Sequence, residues 1–487
     1  MSITFTSIPV GIRTPGAYVE FANGAAGQGL AQWQRRILIL GQALPAGSAA
    51  PLTPVRIFGA MAGQALFGRG SMLDRMIQAL CAQNDSTETW AMSVADPGGG
   101  VAATYTLTVT GAPTASGTLA LYIGGQSVQV AITANMTTAQ VATAIAAQIA
   151  AQLDLPVAAS AAASVVTLAV NWKGSSGAAL DIRTNYYSTD VMPAGLALTI
   201  AAGTAGSGAV NMAGLVAAFG DKQWHTIVCP WTDGAVLAAL TAELATRRGG
   251  MVMMDGIAFT AAKESQGALA TLGEGQNSPD LSIAEAIGPV TVWERCAREA
   301  GAVDLSVGID PALPLQTVVL SGDIAPNSSE RLTQPERNAL LYDGISTHTV
   351  DPGGVVQLER PITTYQLNGQ GQPDPSYLDV TTMTTLSYLR FTLVQRWETK
   401  FPRMKVGKNG IAIAPGEAIV TPNTLQAELI ALAREWEAAG LVQDVDSWKS
   451  GLVVQINASD ATRVDAVIPP QIVTGLRVFA AQIAFSF

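Results

Sequence analysis

The chain has 487 residues, of which 48% are hydrophobic and only 13% are charged, and its formal net charge is −10. Intrinsically disordered chains combine low hydrophobicity with high charge, so this composition excludes that class. Lys and Arg number 27 against 37 Asp and Glu, which disfavours a nucleic-acid-binding protein, because such proteins carry a basic excess. So few charges on so large a chain indicate that other protein covers much of its surface.

The sequence indicates a soluble protein made in a reducing compartment. Its three cysteines, Cys81, Cys229 and Cys296, have no CxxC spacing and cannot form a closed disulfide framework. The N-terminus has neither the basic nor the apolar region of a signal peptide. No apolar run reaches the ~18 residues that span a bilayer. We therefore expect synthesis in the cytoplasm.

Residues 1–20 are predicted to form an extended N-terminal arm. They carry apolar side chains at Ile3, Phe5 and Tyr18, but two prolines and a glycine prevent a helix and interrupt any long strand. Such a segment can bury little of itself, so we expect it to need a partner surface.

Strand-like and helix-like segments then alternate up to about residue 300. The predicted strands are residues 35–42, 89–96, 224–229, 251–256 and 281–283, and the predicted helices are residues 71–84, 208–219, 234–247, 260–271 and 290–300. Strands that alternate with helices of this length indicate a mostly parallel sheet covered by helices. The predicted fold class for this part is α/β, in a discontinuous core of residues 21–96 and 206–380.

A different pattern interrupts this alternation over residues 97–205. Turn-rich glycine segments open and close the interval. Period-two alternation predicts strands, and one helix lies among them with Val141, Ile145, Ile149 and Leu153 at intervals of four. The α/β pattern resumes afterwards, so we predict an inserted β-rich surface domain. Because insertions are tolerated at exposed loops, we expect it to project outward.

The C-terminal part is predicted to contain two amphipathic helices. Residues 305–380 are rich in Pro and Gly and irregular, and helices follow at residues 381–401 and 423–439. The second helix buries leucines and a tryptophan on one face. Its outward charged residues include Glu428, Arg434, Glu435 and Glu437.

Two strands are predicted to end the chain. Residues 451–456 form the first, and about residues 476–487 form the second, which carries Val478, Ile483 and Phe485. A final apolar strand either packs in its own sheet or is donated to another subunit. We treat residues 472–487 as a C-terminal strand or arm.

Motif searches find no complete catalytic or phosphate site. Gly41 and Gly47 follow a predicted strand but fit neither GxGxxG nor the P-loop pattern. A Ser-His-Asp triad would have to use His225 or His348, the only histidines, and no GxSxG elbow occurs. The sequence therefore predicts no catalytic residue and no cofactor.

Two isolated features admit a functional interpretation. His225 and Cys229 lie four apart on a predicted buried strand and share a face, where a metal pair is one interpretation and a core histidine beside a core thiol is the favoured one. Asp255 ends a predicted parallel strand, where α/β enzymes place catalytic groups. Without a second convergent group we interpret it as a turn or helix-capping residue, and we predict no metal site.

One charge cluster stands out in this acidic chain. Six basic residues fall within 19 positions that hold a single acid, Glu398: Arg390, Arg396, Lys400, Arg403, Lys405 and Lys408. They form either a solvated helix face and loop or a contact with an acidic partner surface, where charge sets register. A nucleic-acid contact is disfavoured, because the chain as a whole is acidic.

Several segments carry a family resemblance. They are IPVGIRTPGAYVEF (residues 8–21), LFGRGSML (66–73), the stretch from PERNALLYDG to PSYLDV (335–380), TLSYLRFTLVQRWETKFPR (385–403) and the closing VIPPQIVTGLRVFAAQIAFSF (467–487). These segments resemble contractile phage tail sheath proteins, specifically the Mu-like group. The resemblance covers about three quarters of the chain, and residues 97–205 match more loosely.

The resemblance implies a structural protein of the virion, assembled in the host cytoplasm. Sheath subunits form stacked hexameric rings around the tail tube, and contraction drives the tube through the host cell envelope during genome delivery. The implied partners are further copies of the chain, the tail tube protein, and the baseplate and tail terminator proteins. Nucleic acid and direct membrane insertion are not implied.

The resemblance also implies roles for parts of the chain. Terminal arms complete sheets in neighbouring subunits, and the inter-subunit residues would be Ile3, Phe5, Tyr18, Val478, Ile483 and Phe485. The inner domain, residues 381–471, would face the tube through Glu428, Arg434, Glu435 and Glu437. We expect the inserted domain to be replaceable by a short linker without loss of assembly.

Two other classes of protein remain as alternatives. An α/β enzyme with a substrate-binding insertion predicts a monomer or small oligomer and a convergent polar pocket at the carboxyl ends of the strands. Another virion module, such as a tail fibre or baseplate protein, predicts fibrous repeats or a receptor-binding tip, and neither is evident.

Overall fold

The computed structural model describes residue 30, residues 33–414 and residues 416–486. The chain divides into two compact units. The large unit is Gln34–Ser387 with Thr474–Phe487, and the small unit is Tyr388–Val473 with the segment up to Trp33. The arm residues Ile3, Phe5 and Tyr18 lie outside the described residues, so their predicted role stays a prediction.

The large unit contains fifteen strands in the part of the chain that the structure describes. In chain order, its elements are β1 (Arg36–Gln42), β2 (Val55–Ile57), α1 (Ala62–Phe67), α2 (Met72–Cys81), β3 (Glu88–Val94), β4 (Thr104–Gly111), β5 (Gly117–Ile123), β6 (Gln126–Ile132), α3 (Thr138–Ala150), β7 (Val157–Ala162), β8 (Val165–Val170), β9 (Ile182–Thr184), β10 (Ala197–Ala202), α4 (Met212–Ala217), β11 (Thr226–Val228), α5 (Gly234–Arg248), β12 (Ile257–Ala262), α6 (Gln266–Glu274), β13 (Leu281–Glu285), α7 (Val292–Ile309), α8 (Gln334–Tyr342), β14 (Ile345–Val350) and β15 (Val356–Arg360).

The division between the units falls within helix α9 (Val380–Lys400). The elements of the small unit then follow as β16 (Lys405–Val406), β17 (Ile419–Val420), α10 (Pro422–Ala438), β18 (Val442–Gln443), α11 (Val445–Trp448), β19 (Val453–Ile456), β20 (Val464–Val467) and β21 (Gln471–Ile472). No helix in the described part of the chain is both long enough and apolar enough to cross a bilayer.

An eight-stranded sheet organises the large unit. Its strand order is β15-β14-β13-β12-β11-β1-β3-β2. The six middle strands are parallel, and β2 and β15 close the two edges in antiparallel orientation. The middle strands are short runs of buried side chains, as expected where helices cover a parallel sheet. The fold is mixed α/β with several sheets.

Two capped helices pack against this sheet. The Ser71 hydroxyl accepts a hydrogen bond from the Asp74 N–H (3.0 Å) and begins α2, and Thr291 begins α7 in the same way. These helices pack against each other and against β1, β11 and β12. Gly41 lets α2 approach β1, because a Cβ there would lie 2.9 Å from Leu73 Cγ.

Residues 97–205 form two smaller sheets around α3. Their strand orders are β10-β4-β8-β7 and β6-β5-β9, and both sheets are antiparallel. In β4, Tyr105, Leu107 and Val109 are buried and the threonines between them are more exposed, as the period-two pattern predicted. The helix is shorter than its predicted stripe, because it ends at Ala150 and Leu153 is 60% exposed.

The prediction was wrong over residues 251–271. Residues 251–256 form a turn rather than a strand, and the strand is the next apolar run, β12. The helix predicted at residues 260–271 is displaced to α6, which Ser265 caps. Asp255 therefore precedes a strand, at the opposite end from the catalytic position that the sequence suggested.

Residues 305–380 are more ordered than their composition predicted. They contain the end of α7, the helix α8, and the hairpin β14–β15. The start of α8 was visible in the sequence Thr333-Gln-Pro-Glu336 but was not predicted. Thr333 and Glu336 form a capping box, and Pro335 lies in the first turn of the helix.

Candidate assembly surfaces

Residues 97–205, here called the insert, contact the carboxyl end of the central sheet through ion pairs. Asp181 lies just before β9, and Lys263 directly follows β12. The Asp181 carboxylate accepts a hydrogen bond from Lys263 Nζ at 2.6 Å. Arg183 donates to both oxygens of Asp181 through its Nε and Nη2, and its Nη1 lies 3.1 Å from Glu330. Burial alone would raise the pKa of Asp181, but Arg183 and Lys263 outweigh it and hold the pKa below its usual value. The Asp181 carboxylate is therefore charged and doubly paired.

A buried aromatic pair forms a second contact. Trp172, after β8, lies with its ring centroid 5.2 Å from that of Trp293 on α7, in an edge-to-face arrangement. The two residues are 2% and 0% exposed. Nearby, the Gln42 side-chain amide donates to the Lys173 carbonyl at 2.8 Å. Arg69 adds a bidentate pair with Asp154 at 2.8 Å. The insert is thus packed on the core at several separate places.

These contacts cover the edge where α/β enzymes bind substrates. A cavity of about 170 Å³ remains beside Glu285, at the end of β13. Ligand pockets usually measure about 300–1,000 Å³, so this cavity is small. The charged groups that line it have partners: Glu285 contacts His348, Arg295 pairs with Asp323, Arg337 pairs with Glu359, and Arg331 donates to the Pro326 carbonyl.

His225 and Cys229, the residue pair considered for a metal, both lie buried in the core. His225 Nδ1 accepts a bond from the Arg36 N–H at 3.0 Å, and burial lowers its pKa to about 3. Cys229 is fully buried, and burial raises its pKa to about 12. Within the described residues, no group of three or more His, Cys, Asp and Glu is placed to hold a metal ion.

Helix α7 carries several buried charges, each with a partner. Asp304 lies 2.6 Å from Arg35, Glu294 pairs with Arg75 at 2.9 Å, and Arg295 pairs with Asp323 at 2.7 Å. Removing one partner would leave an uncompensated buried charge. These pairs fix the orientation of α7 on the sheet.

In the small unit, two residues of the basic cluster form ion pairs with two glutamates of α10. Arg396 on α9 lies between Glu428 and Glu435 of α10, with its Nη1 2.7 Å from Glu428 Oε1. Lys400 Nζ is 2.6 Å from the same Glu428 oxygen. The Trp436 indole N–H also donates to Thr392 Oγ1 at 2.9 Å. These four charged residues therefore form an internal clamp between α9 and α10, here called the Arg396 clamp.

The remaining predicted charges lie on the surface of the small unit. Arg434 and Glu437 are exposed on α10, and Glu437 accepts a bond from the Val445 N–H at 3.3 Å. Lys405 pairs with exposed Glu417 at 2.9 Å. Arg403 and Lys408 are exposed in the loop after α9, and Arg390 lies half-buried on α9. The structure thus separates the predicted charges into a clamp and a surface set.

Replacing Arg396 with alanine should lower the free energy of unfolding of the small unit by about 1–2 kcal/mol, because both glutamates lose their shared cation in a half-buried site. Differential scanning calorimetry measures the change. Lys405→Ala is the matched control, with an expected change below about 0.5 kcal/mol, because its ion pair is exposed. Equal changes in the two variants would show that the clamp does not stabilise the unit.

The C-terminal tail exposes a row of apolar side chains. Residues 473–486 form no strand with the described part of this chain. Gly475 lies against Pro314, and Arg477 Nη2 is 3.4 Å from Asp379 Oδ1, so the tail begins on the large unit. Beyond that point the side chains are largely exposed, with Val478 at 79%, Ile483 at 88% and Phe485 at 77%.

Two family models match consecutive parts of the chain. The phage tail sheath protein central domain matches residues 205–364, and the phage tail sheath C-terminal domain matches residues 372–486. The two matched segments contain the central sheet from β11 onward, both helices of the Arg396 clamp, and the tail. The inserted segment up to residue 204 lies outside both matches.

Similar proteins extend the comparison. The Mu-like prophage FluMu tail sheath protein of Haemophilus influenzae is 37% identical over 490 residues, covering 100% of both chains. Among solved structures, the sheath tail protein from Desulfitobacterium hafniense is 15% identical, with a TM-score of 0.49, and the match covers 94% of this chain and 100% of that one. The anti-feeding prophage helical sheath in its contracted state is 10% identical, with a TM-score of 0.46 and coverage of 97% and 99%.

The full-length relative decides the assignment. Its identity extends across the arms, the core, the inserted segment and the tail, and the central and C-terminal domain matches fall in the expected order. The chain therefore belongs to the family of contractile phage tail sheath proteins.

Proposed function

We propose that this virion protein polymerises as stacked hexameric rings around a tail tube, and that contraction of the sheath drives the tube through the host cell envelope during genome delivery. The observation that carries the proposal is the full-length similarity to a tail sheath protein. It is supported by a tail whose apolar side chains are largely exposed. Assembly would take place in the host cytoplasm, and the baseplate and tail terminator proteins would bind the ends of the sheath.

The C-terminal tail is the proposed link between subunits. An extended segment can add a strand to the sheet of a neighbour, whose backbone groups then satisfy its own. In a strand, Ile483 and Phe485 share one face and Val478 lies on the other. The face with Ile483 and Phe485 would enter the neighbour's core. The N-terminal arm, with Ile3, Phe5 and Tyr18, would form a second link.

The surface set of charges is the proposed contact with tube or neighbouring sheath. Glu428, Glu435, Arg396 and Lys400 are occupied in the clamp, which leaves Arg434 and Glu437 on α10 as the tube-facing pair. The exposed part of the basic cluster, Arg403, Lys405 and Lys408, suits an acidic partner surface. Exposed charge pairs contribute about 0–1 kcal/mol each, so such an interface sets register and still releases during contraction.

Reversing both tube-facing charges, with Arg434→Glu and Glu437→Lys, should weaken assembly on purified tubes more than it weakens tube-free polymers. The expected difference is about 3- to 10-fold in the protein concentration needed for assembly, since each contact is worth about 0–1 kcal/mol. Co-sedimentation with and without tubes measures it. The clamp residues stay unchanged, so the fold of the small unit is preserved.

Glu274→Lys on α6 of the large unit is the matched control, because Glu274 is exposed and lies outside the small unit. This variant should assemble normally in both assays. Equal loss with and without tubes, or no loss in either assay, would remove this face of α10 as the tube contact.

A further inference from the structure

Two buried glutamates hold the ring of His348 from opposite sides. His348 on β14 places Nδ1 3.1 Å from Glu285 Oε1, at the end of β13, and Nε2 3.1 Å from Glu299 Oε2 on α7. The three residues are 6%, 5% and 1% exposed. An ionised carboxylate can only accept hydrogen bonds. When both carboxylates are ionised, both ring nitrogens donate, and the ring is then the doubly protonated imidazolium.

The other charged and titratable groups around this cluster are paired with residues outside it or are buried. On α7, Arg295 lies near His348 but is paired with Asp323 at 2.7 Å. Cys296, one turn before Glu299, is buried, and burial raises its thiol pKa well above the usual value. On the hairpin side, Glu359 of β15 is occupied by Arg337 of α8 at 2.8 Å. Arg331 lines the same cavity and donates to the Pro326 carbonyl. Arg295 lowers the pKa of His348, and the two carboxylates that contact the ring outweigh it.

The electrostatics agree with the geometry. Burial alone would lower the pKa of His348, but the bonds to Glu285 and Glu299 outweigh burial and raise the pKa to about 9. Burial alone would likewise raise the pKa of Glu285, but the bond from His348 holds it below its usual value. The chain's other histidine, His225, accepts a bond from the Arg36 N–H at Nδ1 and takes the opposite shift, with its pKa lowered by burial.

Protons can reach the cluster from solvent. His348 and Glu285 both line the cavity of about 170 Å³, together with Thr349 and Val350 from the same hairpin. A polar cavity of this size can hold water, and water there can carry protons to and from Glu285 and His348. Burial of the cluster strengthens its ion pairs, and the adjoining cavity lets His348 titrate.

We propose that Glu285, His348 and Glu299 form a pH-dependent latch that fastens the β14–β15 hairpin to α7 and β13, closed at neutral pH and released in alkaline solution. When the imidazolium loses its proton, one ring nitrogen becomes an acceptor facing a carboxylate, and two glutamates lose the cation between them. This latch is a property of the folded subunit and goes beyond the proposed assembly function.

The direction of the effect follows from linkage. The pKa of His348 is raised above its unfolded value of 6.5 to about 9. The stabilisation is therefore complete below about pH 6.5 and is lost as the pH rises through about 9. Between about pH 7 and about pH 10, the protection of the hairpin amides against hydrogen exchange should fall by about 10- to 100-fold.

Amide hydrogen exchange with mass spectrometry tests the latch on the full-length protein. The readout is the protection of peptides from Ile345–Arg360 between about pH 7 and about pH 10, corrected for the intrinsic exchange rate. Helix α5 (Gly234–Arg248), which holds none of the cluster residues, is the internal reference. The expected result is a 10- to 100-fold loss of protection in the hairpin and little change in α5, with a midpoint near the pKa of His348, about 9.

A His348→Gln variant gives the matched comparison, because glutamine fills similar space without a titrating ring. Its hairpin should be less protected at neutral pH and should show no pH dependence beyond that of α5. The proposal is overturned if the wild-type hairpin changes no more than α5, or if the variant keeps the wild-type pH profile. If the variant does not fold, the wild-type comparison of hairpin and α5 decides alone.

Discussion

Replacing Trp172 with alanine should lower the free energy of unfolding of the large unit by about 3–5 kcal/mol. The side chain is 2% exposed, packs edge-to-face on Trp293, and donates its indole N–H to Ser176 Oγ at 3.2 Å. Its removal leaves a cavity between β8 and α7 that the surrounding backbone cannot close. Thermal unfolding followed by circular dichroism measures the loss.

Tyr342→Ala is the control for removing an aromatic ring from the same unit. Tyr342 ends α8 and is 79% exposed, so the expected change stays within about 0.5 kcal/mol. If Trp172→Ala were as mild as this control, the insert would not contribute to the stability of the core.

The same contacts change the expectation that a short linker can replace residues 97–205. Their removal would expose Trp293 and leave Lys263 without Asp181. Two glycine-rich joints indicated a separable domain, but the sequence could not show that the residues between them pack on α7 and on the end of β12. The insert is better treated as part of the folded core.

Placing aspartate at Ile483 and Phe485 together should block polymerisation and leave the subunit folded. Both side chains are exposed in the subunit, but the proposed strand exchange buries them in a neighbour. Burying charge there should cost at least about 2 kcal/mol per contact, which raises the concentration needed for polymerisation by about 30-fold or more. Sedimentation velocity measures polymer formation.

Gln482→Asp is the control for adding charge to the tail, because residue 482 lies on the opposite face of the strand. This variant should polymerise at nearly the wild-type concentration. Normal polymers from the double variant, or equal loss from Gln482→Asp, would exclude the proposed orientation of the tail.

Local periodicity predicted much of the fold. The alternation in residues 104–111 matches β4, and the Ser71 cap with its apolar stripe matches α2. These elements were accessible because the pattern of one segment already states which face is buried.

The elements that were predicted wrongly depend on contacts between residues far apart in the sequence. The apolar run at residues 251–253 resembled a buried strand, but the next run, Ile257–Ala262, is the one that pairs with β11 and β13, so Met251 is left 96% exposed. Nothing within the run itself distinguishes the two candidates. Hairpin β14–β15 was hidden in a Pro- and Gly-rich stretch, although the capping box at Thr333 was visible.

The candidate interfaces were predictable as segments but not as contacts. The tail was identified as apolar and extended, and its described side chains are exposed. The charged residues were identified as two clusters, but Arg396 is 32 and 39 residues from the glutamates that it contacts. A helix pattern shows which side is polar and cannot show that two polar sides face each other.

Negative-stain electron microscopy of the purified full-length protein tests the central claim most directly. The account predicts tubes built of stacked rings that form as the protein concentration is raised, and their loss in the Ile483→Asp, Phe485→Asp variant. A preparation that stays as uniform small particles at every concentration, in the wild type as in the variant, would contradict the assignment of this chain as a self-assembling sheath subunit.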